Sequence, residues 1–233
     1  MSPSHGPLLA IDTATRRTSV ALGDVSGPSF TRSAERDAGG SLLDLVAELL
    51  AEAGVGREAL GGIVVGTGPG SFTGLRLGLA TAKTLAYALR IPLLGVPTVE
   101  ALAHASGGSD GGTLLVVLAA GARDHYLARV QDPAGAARLA GPVELLAPGA
   151  SLPEAVGAGF ALTVETSSAA LGPEAAARGT AALDGLAEAL LALGHGRLSA
   201  GERAKPTDLV PEYVALPRGI AATAGVMWSP DLR

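Results

Sequence analysis

The stretch Gly61-Gly62-Ile63-Val64-Val65-Gly66-Thr67-Gly68-Pro69-Gly70-Ser71-Phe72-Thr73-Gly74 decides the fold. Its first half is an apolar run of strand length. Its second half is a glycine-rich turn, and a helix is predicted from there to about Arg90. Pro92 stops that helix, because the residue before a proline is driven out of the α region. From Gly74 to Arg90 is 17 residues, about 25 Å of helix at 1.5 Å per residue. Small residues recur along it at Gly74, Gly78, Ala82 and Ala86. That spacing predicts a flat strip on one face, where another helix backbone can approach. Gly78 costs roughly 1 kcal/mol against alanine in mid-helix, which a close contact would offset. A strand follows over residues 92–96. Strand, glycine turn, long helix and strand place the chain in the α/β class.

Upstream, Leu8–Asp12 reads as a buried strand and residues 18–23 as a second, joined by a Thr/Arg turn into a hairpin. Residues 30–34 suit a third. Ser41 opens a helix, with Asp44 three residues later as a capping box, and Gly54 stands where a C′ glycine would end it. Its leucines form two stripes, one through Leu42, Leu45 and Leu49, the other through Leu43, Val46 and Leu50. One stripe suffices for a helix packed on its own core, so the second predicts cover on another side. Downstream, Thr98 caps a short helix through Ala105. Residues 106–112 are a Ser/Gly/Asp linker and mark a boundary between domains 1–105 and 106–233. Beyond it, residues 113–120 and His125–Gln131 read as a hairpin, with weaker strands at 143–146 and 161–164. An Ala/Leu helix is predicted over 183–193, ended by Gly194-His195-Gly196, before an irregular tail. Two α/β halves, each opening on a strand hairpin, fit an actin-like duplicated fold.

Composition narrows the function classes. The chain has 233 residues, with 17 Lys plus Arg against 22 Asp plus Glu, a net charge of −5. Gripping nucleic acid unaided needs a dense basic footprint, and Lys83 and Lys205 are the two lysines present. There is no cysteine, so disulfides, thiolate metal sites and cysteine nucleophiles are excluded. The start lacks the basic and apolar regions of a signal peptide. No apolar run approaches the roughly 20 residues that span a bilayer. A cytoplasmic protein is expected.

Chemistry could sit in two places. The loop with Gly68, Gly70 and Ser71 lies between a strand and a helix N-terminus, where free N–H groups and the helix dipole bind anions. It matches neither common phosphate-loop pattern, having no following lysine. Its glycines equally suit a tight turn that packs the helix on the sheet. Asp12, at the end of the first strand, could hold hydrated Mg²⁺ near a nucleotide. It could equally cap the turn, and Gly121 standing where a second acid belongs favours the cap. The histidines, His5, His104, His125 and His195, lie too far apart in sequence for a helical zinc pair. No nucleophile elbow surrounds Ser71. No cofactor, metal or catalytic residue is expected. Arg16, Arg17, Arg32, Arg36 and Arg76 could form a local basic patch, but an ordinary solvated surface is the reading favoured.

Leu9-Ala10-Ile11-Asp12-Thr13-Ala14-Thr15 with Ser19-Val20-Ala21-Leu22 resembles the opening of the TsaB (YeaZ) family. Gly68-Pro69-Gly70-Ser71-Phe72-Thr73-Gly74-Leu75-Arg76 is similar to that family's most specific signature, and Ile91-Pro92-Leu93-Leu94-Gly95-Val96 fits as well. The match is strong over residues 8–105 and thin afterwards. The resemblance implies an actin-like ATPase (ASKHA, ribonuclease H-like) fold of two similar α/β domains. It also implies a non-catalytic scaffold in the machinery that forms N6-threonylcarbamoyladenosine at position 37 of tRNAs. The implied partners are a TsaD-like transferase and a TsaE-like ATPase, with tRNA held mainly by those partners and no membrane involved. A homodimer is expected when the partner is absent. The family docks through its two N-domain helices, which here points to Leu42, Leu45, Leu49, Gly74, Gly78, Ala82 and Ala86. Gly78→Leu or Ala82→Leu would then block docking and leave the monomer folded.

The chain departs from the family at Gly40 before Ser41, at Gly121 and at Ala215, and it lacks the sister family's paired metal histidines. Two other readings stand beside the scaffold. One is a free-standing ASKHA-type kinase for a small molecule, using Asp12 and the Gly68 loop around Mg-ATP. The other is a self-associating structural protein.

Overall fold

The computed structural model describes residues 6–25, 27–36, 41–107, 112–121, 124–146, 151, 160–166 and 171–214. Two mixed sheets carry the chain. The first holds β1 (Leu8–Asp12), β2 (Arg17–Gly23), β3 (Ser29–Glu35), β4 (Gly62–Gly66) and β5 (Leu93–Val96), in the order β3-β2-β1-β4-β5. β1 runs antiparallel to β2 and parallel to β4, and β4 runs parallel to β5. The second holds β6 (Thr113–Ala119), β7 (His125–Gln131), β8 (Arg138–Leu139), β9 (Glu144–Leu146) and β10 (Phe160–Val164), in the order β10-β6-β7-β8, with β9 also on β7. Its hairpin β6–β7 carries β10 parallel to β6, as β1–β2 carries β4. This is the duplicated actin-like arrangement that the sequence predicts.

The first sheet is covered on both faces. On one lie α1 (Leu42–Ala53) and α2 (Phe72–Leu89), whose Leu42, Val46, Leu49, Leu79, Ala82 and Ala86 close on Leu9, Ile11, Val20, Ile63 and Val65. The Ser41–Asp44 capping box forms in both directions, and Gly54 ends α1 at φ 65°. Burial of the stripe drives this packing, at about 25 cal/mol per Å² of apolar surface. On the other face, Leu8, Ala10, Ala21 and Val64 join a core with α3 (Thr98–Ala105), α4 (Gly172–Asp184), α5 (Leu186–Ser199) and the strands of the second sheet.

Here the structure differs from the predicted single helix. Two helices stand there: α4 begins well upstream and ends within the first two residues of the predicted segment, and α5 continues through Gly194-His195-Gly196 to Ser199. A side chain on Gly194 would overlap that of Val64. Contact of the bare helix backbone with β4 replaces the helix stop that two nearby glycines suggest.

One ion pair sits inside this core. Arg197 of α5 donates to Glu100 of α3 at 2.6 Å, with both side chains buried. The same guanidinium nitrogen donates to the carbonyls of Ala137 and Ala136, and the other Glu100 oxygen accepts from the backbone of Leu139. After α5 the chain runs as a strap along β5. Ala204 N donates to the Leu93 carbonyl, Leu209 is buried, and Glu212 N donates to the Thr67 carbonyl. Burial and the nearby Glu100 carboxylate push the Glu212 carboxyl up from its ordinary value. His5, the tail beyond residue 214, and the motif residues Gly40, Ala122 and Arg123 lie outside the described residues. Among the described residues no helix is long and apolar enough to cross a membrane.

Candidate functional site

Asp12 closes β1 on the face that looks toward α3. It is fully buried. Its Oδ1 accepts from Ala14 N at 2.8 Å and its Oδ2 from the Thr98 hydroxyl at 2.7 Å. Burial pushes its carboxyl up to about 6. The Thr98 and Ala14 hydrogen bonds and the Arg36 charge oppose that rise, and the Glu165 carboxylate adds to it. A side chain on Gly66 would overlap Asp12 Oδ2, so the glycine leaves the space that the carboxyl fills. Both carboxyl oxygens are thus spent on the turn and on α3. Of the two uses open to Asp12, capping is the one the geometry serves.

Thr98 has a different task from the predicted helix cap. No side chain caps α3. The Thr98 hydroxyl donates to Asp12 and accepts from Gly68 N at 3.2 Å, while Thr98 N donates to the Gly68 carbonyl at 2.7 Å. The Gly68 loop is therefore stitched to α3 at one end. At the other end it lies on the β1–β2 turn. Ser71 N donates to the Ala14 carbonyl at 2.7 Å, and Ser71 Oγ caps α2 by accepting from Gly74 N. Gly70 has no room for a side chain beside Ala14, nor has Gly74 beside the Thr13 carbonyl and Arg36. The N–H groups of Gly68, Ser71 and Gly74 accordingly serve the protein's own acceptors.

Arg36, read from sequence as surface, ties this assembly together. Its guanidinium donates to Ser71 Oγ and to the Thr13 carbonyl, each at 2.6 Å, and also to the Thr15 carbonyl. Its backbone N–H reaches the Arg16 carbonyl. Across from it Glu165, just past β10, accepts from Arg16 N at 2.5 Å and links the two sheets. The Ser19 hydroxyl, on the strand position paired with Asp12, is buried without a protein partner, as is that of Thr166. Gly121 is exposed at φ 119°. Among the described residues no group of three His, Cys, Asp or Glu side chains is placed to hold a metal ion.

The residues expected at a partner interface lie mostly inside the molecule. Leu42 and Leu49 are buried in the core, Leu45 is half-buried, and Gly74, Gly78, Ala82 and Ala86 are all buried. The strip of small residues faces the chain's own β1–β2 turn and sheet. Thr13 Oγ1 donates to the Gly74 carbonyl at 2.7 Å, and a side chain on Gly78 would overlap that same hydroxyl oxygen. Gly78→Leu is therefore expected to cost the monomer at least about 3 kcal/mol, the upper part of the overpacking range. Urea unfolding at fixed pH checks this, and a variant as stable as the parent would refute the contact. What these helices turn outward is different. Leu43 is 57% exposed, Leu77 48% and Tyr87 81%. The signal was present in the sequence, because α2 has apolar residues all round, more than one core can bury.

Known proteins resemble this chain as follows. The family model described as TsaD, tRNA N6-adenosine threonylcarbamoyltransferase, matches residues 32–152. The tRNA threonylcarbamoyladenosine biosynthesis protein TsaB of Escherichia coli strain K12 is 33% identical over 126 residues, 53% of this chain and 54% of that protein. The protein of the same description from Bacillus subtilis strain 168 is 35% identical over 106 residues, 45% of this chain and 46% of that one. The chain spans about half the length of the curated relatives it matches. Among solved structures, YeaZ from Pseudomonas aeruginosa superposes with a TM-score of 0.69 at 29% identity, over 89% of this chain and 99% of that one.

Proposed function

This chain belongs to the TsaB (YeaZ) family, related to TsaD, and from that premise we propose that it is a non-catalytic scaffold and activator subunit in the formation of N6-threonylcarbamoyladenosine on tRNA. It docks a TsaD-like transferase through the outward faces of α1 and α2. A TsaE-like ATPase joins the pair, and tRNA phosphates are met mainly by the partners. The proposal keeps the division into an N-terminal unit, 1–105, that carries the docking helices, and a C-terminal unit, 106–233.

One observation carries the reading. α1 and α2 fill a core with one face and still present Leu43, Leu77 and Tyr87 to solvent on the other. Apolar residues grouped on one surface mark an interaction site more often than single scattered ones do. The engagement of Asp12 and of the Gly68 loop with the protein itself supports a role without phosphate chemistry.

Size-exclusion chromatography with light scattering tests it, on this chain mixed with the TsaD-like protein of its own organism. A 1:1 complex is expected. Leu77→Glu should weaken it at least about tenfold, as burying an unpaired charge at an interface does, with the circular dichroism of the monomer unchanged. No complex, or a complex indifferent to Leu77→Glu, would sink the proposal. A melting-point rise with millimolar Mg-ATP on the chain alone would favour the kinase reading instead.

A further inference from the structure

The flank of α2 nearest the strap carries side chains of two kinds. Phe72, Arg76, Lys83, Tyr87 and Arg90 follow one another at intervals of four, seven, four and three residues. Those spacings put all five on one side of a helix. Arg76 fixes which side, because its Nε donates to the Tyr213 hydroxyl of the strap at 2.9 Å. From Phe72 to Arg90 is about 27 Å at 1.5 Å per residue. α2 contains no acid.

The cations of this flank differ from those elsewhere. Most arginines of the described residues pair with an acid, as Arg32 does with Glu52, Arg129 with Glu144 and Arg138 with Glu202. Among the described residues, Arg76, Lys83 and Arg90 have no acid at ion-pair distance. Nor has Lys205, which follows Ala204 where the strap is bonded to Leu93, just past the end of α2. The strap's own acids do not quench them. Glu212 is half-buried, and the Asp208 carboxylate accepts from the Thr207 hydroxyl. With a net charge of −5 the chain has acids to spare, so a shortage of partners does not account for the unpaired cations.

Aromatic rings gather on the same flank. The whole chain has three phenylalanines, three tyrosines and one tryptophan, and Phe72, Tyr87 and Tyr213 stand here. The Phe72 and Tyr213 rings are 5.2 Å apart, with the Arg76 guanidinium 3.7 Å from the centre of Phe72. Tyr87, between Lys83 and Arg90 in the row, is 81% exposed. Cations that meet phosphates, set among rings on which bases stack, are the means by which proteins hold unpaired RNA. An acidic protein surface would match the cations and leave the row of rings unused.

We infer that the strap-side flank of α2 is an RNA contact. Lys83 and Arg90 meet phosphates of the tRNA, and Tyr87 stacks on one of its unpaired bases. The choice of RNA rests on the proposed role in tRNA modification, and it adds this chain's own share of the tRNA to the share met by the partners.

Fluorescence anisotropy with an unmodified tRNA transcript tests it, over a salt series, on the full chain alone and on its complex with the TsaD-like protein. Tyr87→Ala should weaken binding about tenfold and leave the salt dependence unchanged, while Tyr87→Phe should bind as the parent does. Lys83→Ala should weaken binding about fivefold and lower the slope of log affinity against log salt by about one. Arg90→Asn should do the same, asparagine being suited to the φ of 57° at this C-cap. Arg129→Ala, on the second sheet, should change neither quantity. Flank variants with the parent's affinity and slope would overturn the inference and leave the scaffold standing. Variants that weaken the hold on the transferase, and not the hold on tRNA, would also overturn it and make the flank a surface for an acidic protein. If no complex forms while the chain alone shows these losses, the inference holds and the scaffold role falls.

Discussion

Asparagine in place of Asp12 is expected to stabilise the protein at pH 7 by about 2 kcal/mol. The reason is the buried carboxyl, whose pKa is about 6 in the folded chain against an ordinary 3.8. A raised folded value means that the native state prefers the protonated form. Stability from this group is full below about 3.8, falls as pH rises to about 6, and stays low above it. At 1.36 kcal/mol for each pH unit between the two values, the loss is roughly 3 kcal/mol. Asparagine is uncharged at every pH. Its oxygen can still accept from Ala14 N, and its amide can donate to Thr98 Oγ1, as a protonated carboxyl would, once the Thr98 hydroxyl turns its own proton away from this position. Some of the gain is lost to less suited geometry, which leaves the smaller figure. Urea unfolding at several pH values between 4 and 7.5 measures it. The parent should lose stability across that range and Asp12→Asn should lose less. Asp12→Ala should be destabilised throughout, because Ala14 N–H and the Thr98 hydroxyl lose their acceptor. If Asp12→Asn unfolds more easily than the parent at pH 7, the ionised carboxylate is stabilising and its role as a neutral cap is wrong.

Arg197→Met should be the most damaging single change short of a backbone clash. It leaves Glu100 in the core with the Leu139 N–H as its remaining partner, and strands the carbonyls of Ala136 and Ala137. Removing one partner of a buried ion pair costs about 3–5 kcal/mol, because the other charge stays behind unpaired. Adding Glu100→Gln removes that charge and keeps an acceptor for Leu139 N. The double variant should therefore recover about 2 kcal/mol of the loss. Denaturant titration of the parent and three variants forms the cycle. Strict additivity of the two single changes would mean that the pair is not coupled.

Much of the fold was legible in the sequence. The hairpin β1–β2, the Ser41 capping box, the run from β4 through the Gly68 loop into α2, and the Pro92 stop are local signals, each carried by a few neighbouring residues. Signals that join distant parts of the chain were not legible. Arg36 looks like any surface arginine until Thr13, Thr15 and Ser71 are brought around it. Glu100 and Arg197 are 97 residues apart, and neither position marks the other. α4 is rich in alanine and carries Gly179, so its apolar stripe is faint. That glycine seats the helix against the Thr163 carbonyl, where a side chain would clash. The same ambiguity misplaced the small residues of α2. A small residue every fourth position says that something comes close, and not whether it is a partner helix or the chain's own turn.

The passage of α5 back onto the first sheet has a consequence for synthesis on the ribosome. Residues 1–105 supply that sheet and its outer helices, but the cover for Leu8, Ala10 and Val64 arrives with Gly194 and its neighbours. Until then an apolar sheet face waits, and the long loop between sheet and cover slows its closure. The emerging chain is thus most exposed to aggregation, and to capture by chaperones, in the interval before α5 emerges. It then becomes one cooperative unit when its fifth helix docks.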